Sequence, residues 1–113
     1  MHELGIVQGT LDLAISTAQK SGAREIHRIF MRVGALAGVV PDSMTFAFEA
    51  LRQGTMAEKA TLEIEQIPAV YWCEKCAAEF QVEDWNRECP KCSQPSLVLR
   101  RGRELELTSM EVS

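Results

Sequence analysis

Apolar residues recur at three- and four-residue steps along the first twenty positions: Leu4, Val7, Leu11, Ala14, Ile15 and Ala18. That spacing lines one face of a helix. Lys20 in the last turn and Gly22 just beyond it supply the stop. The pattern then changes to alternation. Over Glu25 to Val33, His27, Ile29, Met31 and Val33 point one way and Ile26, Arg28, Phe30 and Arg32 the other, which predicts a strand. Gly34, Gly38 and Pro41 mark a loop. A second helix is predicted from about Asp42 to Gln53, with Met44, Ala47, Phe48 and Leu51 as its stripe and Gly54 as its end. Thr61 to Ile67 alternates again and Pro68 closes it. Glu104 to Val112 forms a last strand, whose apolar parity switches between Leu107 and Met110, as a bulge near Thr108 or Ser109 would make it.

These elements predict an α+β fold: a three-stranded sheet with two helices on one face, since each helix has a single apolar stripe. The stretch between the last two strands differs in kind. Its large apolar residues are Val70, Tyr71, Trp72, Phe80, Val82 and Trp85, too few to hold a fold without a staple. Trp72 and Trp85 read as the core of this small domain.

Cysteines supply the staple. Cys73-Glu-Lys-Cys76 and Cys89-Pro-Lys-Cys92 stand twelve residues apart. Each pair makes a tight turn presenting two thiolates. Two such turns complete a tetrahedral four-sulfur site of the kind zinc takes in structural roles, with no open position for a catalytic water. Iron in a rubredoxin-like site is the metal alternative. Paired Cys-x-x-Cys motifs point to metal rather than disulfides and to the cytoplasm.

Charge narrows the partners. The chain has 113 residues and a net charge of -4. Residues 70–96 carry Glu74, Glu79, Glu83, Asp84 and Glu88 against Lys75, Arg87 and Lys91, a poor surface for phosphates. No nucleic-acid partner is expected. Arg100, Arg101 and Arg103 cluster around Gly102 and read as an exposed turn. No run of 18 apolar residues spans a membrane, and the N-terminus lacks the basic start of a secretory signal.

The chain begins Met1-His2-Glu3. A free terminal amine, the deprotonated amide nitrogen of His2 and its imidazole can chelate one ion in a near-planar field, which suits Ni(II) or Cu(II). Taken alone, these three residues favour the plainer reading, the frayed end of an ordinary chain, and the rest of the sequence has to supply the case for a chelate. His27, in line with an apolar strand face, reads as structural.

Taken together, the terminal Met-His-Glu opening an amphipathic helix, the Val33-Gly34 strand end, the Phe46-Ala47-Phe48-Glu49 helix, the Leu62-Glu63-Ile64 strand, the two cysteine pairs and the closing Gly102-x-Glu104-Leu105 strand resemble the HypA/HybF family of nickel-insertion factors for hydrogenase maturation. The resemblance covers essentially the whole chain. It implies a non-enzymatic nickel metallochaperone in two parts: a nickel-binding α/β domain of residues 1–69 with 97–113, and an inserted zinc domain of residues 70–96. Met1, His2 and Glu3 would belong to the Ni(II) site, with Glu3 acting through its backbone nitrogen or its carboxylate. Cys73, Cys76, Cys89 and Cys92 would hold structural Zn(II). The implied partners are a nickel-binding GTPase and the large subunit of nickel-iron hydrogenase, with the urease maturation proteins for some members. In some members histidines follow the cysteine pairs; here Ala77 and Ser93 stand in those places. The oligomeric state is open between monomer and homodimer: the edges of a three-stranded sheet could pair with a second copy, and the loop from Gly34 to Pro41 could serve as a hinge for exchange.

Overall fold

A computed structural model describes residues 2–83 and 86–113. The elements, in chain order, are α1 (Glu3–Lys20), β1 (Ile26–Gly34), α2 (Pro41–Leu51), β2 (Thr61–Ile67), β3 (Ala69–Cys73), β4 (Ala78–Val82), β5 (Val98–Arg101) and β6 (Leu105–Val112). They form two three-stranded sheets, ordered β2-β1-β6 and β4-β3-β5. The chain divides into two compact units: Met1–Arg32 with Gly38–Glu65 and Glu106–Ser113, and Val33–Ala37 with Gln66–Leu105.

In the first unit, α1 stops by a Schellman arrangement. The Gly22 N–H donates to the Gln19 carbonyl and the Ala23 N–H to the Ala18 carbonyl, both at 3.0 Å, while Gly22 takes φ +81°. α2 starts with Pro41 in its first turn, where a missing N–H costs nothing. The two helices pack on each other. Their buried stripes are Val7, Leu11, Ala14 and Ala18 on α1 and Met44, Ala47 and Phe48 on α2, facing a core with Ile26, Ile29, Met31 and Leu62.

β1 and β6 are antiparallel. The Ser113 N–H donates to the Glu25 carbonyl at one end, and the Gly34 N–H to the Glu104 carbonyl at the other. β1 and β2 advance together, since Arg32 reaches Glu65 and the Ala35 N–H reaches the Ile67 carbonyl. An intervening helix is what a parallel pair requires.

Three expectations are corrected. Leu4, assigned to the α1 core face, is 60% exposed, because it lies in the first turn ahead of the buried run that starts at Val7. His27 is exposed although Ile29, Met31 and Val33 of the same parity are buried. Ile26 and Ile29 are both buried, so the alternation breaks between them. His27 instead holds the strand end, with Nε2 2.7 Å from the Ser113 hydroxyl and Nδ1 3.2 Å from Glu25. Trp72 is half-buried and lies outside the small core; Arg100 stacks over its ring at 4.6 Å. Trp85 lies outside the described residues.

The second unit is built on β3, which runs antiparallel to both β4 and β5. Tyr71 and Phe80 face each other in register, with ring centroids 6.0 Å apart. Ala69, Tyr71, Cys73, Phe80 and Cys89 form the buried cluster, and Leu36, Val82 and Leu99 pack against it. This sheet is absent from the sequence-based reading, because its strands are short and much of its core is sulfur.

Candidate metal centres

The four cysteines come together. Cys73 closes β3 and Cys76 sits in the turn into β4. Cys89 and Cys92 lie in a second turn, tied by the Ser93 N–H to the Cys89 carbonyl at 2.8 Å and the Cys89 N–H to the Gln94 carbonyl at 2.9 Å. In each turn the residue after the second cysteine takes a left-handed conformation, Ala77 at φ 50° and Ser93 at φ 62°. Two independent sequences therefore adopt the same turn at the same place, and both tolerate a conformation that side chains disfavour.

The sulfurs all lie within 4.8 Å of one another. Cys73 Sγ is 3.5 Å from Cys92 Sγ, and Cys89 Sγ is 3.9 Å from Cys76 Sγ. Disulfide sulfurs lie about 2.0 Å apart, so these are free thiols. Four thiolates about 2.3 Å from one central ion stand about 3.8 Å from each other. The cluster fits that tetrahedron.

Its electrostatics call for a cation. Hydrogen bonding to Cys92, burial, and the neighbouring Cys73 and Cys89 push the Cys76 thiol up to about 12. Backbone N–H groups of Cys92 and Lys91 draw Cys89 down to about 7. The Cys89 thiolate forms readily and the crowding opposes ionisation of Cys76, a cost that a bound divalent ion offsets. Among the described residues no other group of three metal-binding side chains gathers in this way.

At the other candidate site, Met1 lies outside the described residues. His2 is exposed and stands as the N-cap of α1 without making a side-chain cap. The first ladder bond of the helix runs from the Ile6 N–H to the His2 carbonyl at 3.0 Å. The amides of His2 and Glu3 precede it and have no intrahelical acceptor. The Glu3 carboxylate does have a partner: the Val40 N–H donates to its Oε2 at 3.0 Å. That bond holds the Glu3 carboxyl below its usual range.

Val40 is the N-cap of α2, and Glu3, 37 residues away, accepts from its backbone N–H. Sequence reasoning missed this contact. No residue type marks it, since its donor is a backbone N–H that every non-proline residue carries.

The basic cluster proves structural in part. Arg101 makes a paired contact to Glu79, at 2.7 and 3.3 Å, and Arg100 covers Trp72. No helix among the described residues is long and apolar enough to cross a membrane.

A family model described as "Hydrogenase/urease nickel incorporation, metallochaperone, hypA" matches residues 1–112. The chain belongs to the HypA family. A hydrogenase maturation factor HypA of a Picosynechococcus species is 43% identical over 112 residues, covering 99% of each chain. The protein of the same name from Acidithiobacillus ferrooxidans is 36% identical with the same coverage. Two solved structures share the fold: that of the Ni metallochaperone HypA from Helicobacter pylori, with TM-score 0.68 and 25% identity over 99% of this chain and 97% of that one, and a second HypA solution structure with TM-score 0.71, 25% identity and coverage of 100% and 97%. Membership makes the chain a metallochaperone and maturation factor rather than a catalyst, and the α+β architecture with its four-cysteine part agrees with the fold expected from the sequence.

Proposed function

We propose that this chain carries Ni(II) at its N-terminus to nickel-iron hydrogenase, and that Cys73, Cys76, Cys89 and Cys92 hold a structural Zn(II). The carrying part is residues 1–69 with 97–113, and the zinc part is the inserted segment 70–96. The Met1 amine, the His2 amide nitrogen and the His2 imidazole bind the ion. The observation that carries this reading is the exposed His2 at the head of α1, whose amide and that of Glu3 lie ahead of the first ladder bond.

Deprotonating those amides breaks no helical hydrogen bond. The positive end of the α1 dipole favours the resulting negative charge. Because the Glu3 carboxylate already accepts from Val40, its backbone nitrogen is the better fourth donor. An exposed terminal site also suits a carrier, which has to release its cargo. Ni(II) is thus the substrate, received by the hydrogenase large subunit with a nickel-binding GTPase as co-worker, and by urease maturation proteins where the host has them. The work is done in the cytoplasm.

Zn(II) suits the four thiolates because it needs no redox chemistry and accepts a closed sulfur tetrahedron. It would supply folding free energy to the small unit, on the order of 10 kcal/mol.

Nickel titration followed by absorbance, on wild type and on His2→Ala, tests the carrier site. His2→Ala is expected to abolish the square-planar nickel band with the fold intact; unchanged affinity would refute it. Elemental analysis of the purified protein tests the second site. One zinc per chain is expected, and iron would overturn the assignment.

A further inference from the structure

One hydrogen bond joins the first turns of α1 and α2. The Val40 N–H donates to Glu3 Oε2 at 3.0 Å, across 37 residues of chain. It does two things at once. It gives the Val40 N–H, at the N-cap of α2, the acceptor that the N3 carboxylate of a capping box would otherwise provide. It also fixes the side chain of Glu3, and with it the first turn of α1, whose backbone nitrogen at position 3 adjoins His2.

The backbone on either side of Val40 sets the direction of its N–H. The Val40 side chain is about half exposed, at 51%, and makes no cap. After it, Pro41 opens the helix and the Met44 N–H donates to the Val40 carbonyl at 3.1 Å. Before it, with only Val39 between, Gly38 takes φ +77°. A residue with a Cβ resists that left-handed conformation, and a β-branched one resists it most. The direction in which the chain enters α2, and hence the aim of the Val40 N–H, therefore depends on Gly38.

We propose that Gly38 is a positioning residue for the N-terminal nickel site, acting through the Val40 N–H and the Glu3 carboxylate. This rests on the reading of Met1-His2-Glu3 as the nickel carrier. Gly38 has no side-chain donor to offer a metal. Its part is to let the chain turn so that a stationary N–H meets Glu3. Groups that orient a ligand commonly change metal affinity about 10- to 100-fold when removed. Here the route also predicts a dependence between two positions far apart in sequence, only one of which adjoins the ligands.

The test is a double-mutant cycle on the full chain. Nickel affinity is measured against a competing chelator for wild type, Gly38→Val, Glu3→Ala and the pair, with helical ellipticity recorded for each. Gly38→Val and Glu3→Ala are each expected to weaken nickel binding about tenfold. The pair is expected to be no weaker than the weaker single variant, since both break the same bond. Gly38→Asn, which tolerates the left-handed region, and Glu3→Gln, which keeps the acceptor, are expected to retain most of the affinity.

Wild-type affinity in a folded Gly38→Val overturns the proposal. So does a pair whose losses multiply, because the two residues would then act independently. Should Gly38→Val lose its helical signal, Gly38→Ala takes its place in the same cycle with the same criteria, since it opposes the left-handed conformation more mildly. His2→Ala separates the two levels. If it leaves nickel binding intact, the carrier reading fails; if it abolishes binding while Gly38→Val behaves as wild type, only the positioning proposal fails.

Discussion

Replacing Gly34 and Gly9 by alanine is expected to change stability in opposite directions. A Cβ on Gly34 would lie 2.1 Å from both the carbonyl carbon and oxygen of Gly102, and 2.6 Å from the Arg103 nitrogen. Ordinary contact between carbons needs about 3.5–4.0 Å, so the two stretches must separate by roughly an ångström or more. The obstructing atoms are backbone, and the Gly34 and Leu36 N–H groups are bonded to the Glu104 and Gly102 carbonyls on that same stretch. Side-chain repacking cannot relieve the clash. Overpacking a filled site costs about 1–3 kcal/mol, and the absence of a soft neighbour places Gly34→Ala at about 3 kcal/mol or above. That corresponds to a Tm lower by roughly 10–15 °C for a chain of this size.

Gly9 lies inside α1, and nothing stands within 4 Å of the place its Cβ would take. Gly9→Ala is expected to stabilise by about 0.5–1 kcal/mol, from the entropy glycine loses in a helix. Urea unfolding followed by circular dichroism measures both. A Gly34→Ala variant within about 1 kcal/mol of wild type would refute the reasoning, because the connectors would then have to be far looser than their hydrogen bonds imply.

Nickel affinity should depend steeply on pH. Above the range where the terminal amine titrates, about pH 8, it is expected to rise roughly a hundredfold per pH unit, one factor of ten for each amide that ionises. Chelator competition at three pH values reads the slope, and a slope of one in log units would remove the Glu3 nitrogen from the ligand set. Cys89→Ser is expected to lose the cysteine-site metal and the near-ultraviolet signal of Tyr71 and Trp72 while helical ellipticity from α1 and α2 persists; one equivalent of metal retained would contradict the ligand assignment. Arg101 holds the Glu79 carboxyl below its ordinary value through a side-chain hydrogen bond. A depressed carboxyl contributes stability that is complete above its unfolded value, about 4.3, and is lost as pH falls through the folded one. Acid titration of stability should therefore be shallower in Glu79→Gln than in wild type.

The order of residues was enough for the elements of the first unit and for the four-cysteine group. The 3.6-residue period of Val7, Leu11, Ala14 and Ala18, and the alternation of Leu62 and Ile64, reflect which faces leave water, and that pattern is written along the chain. Two Cys-x-x-Cys turns likewise announce a four-sulfur site because each turn is local. The rest needed the folded chain. β3, β4 and β5 are four or five residues long, too short for a period to declare itself. Trp72 looked like core and is instead covered by Arg100, since burial depends on which face the neighbouring strands close. Leu36 completes a core whose other members come from a distant stretch of sequence. The Val40 N–H reaches Glu3 although neither residue type marks the contact. Every non-proline residue carries a backbone donor, so a sequence cannot say which one will be used; only the folded path of the chain brings that donor to its acceptor.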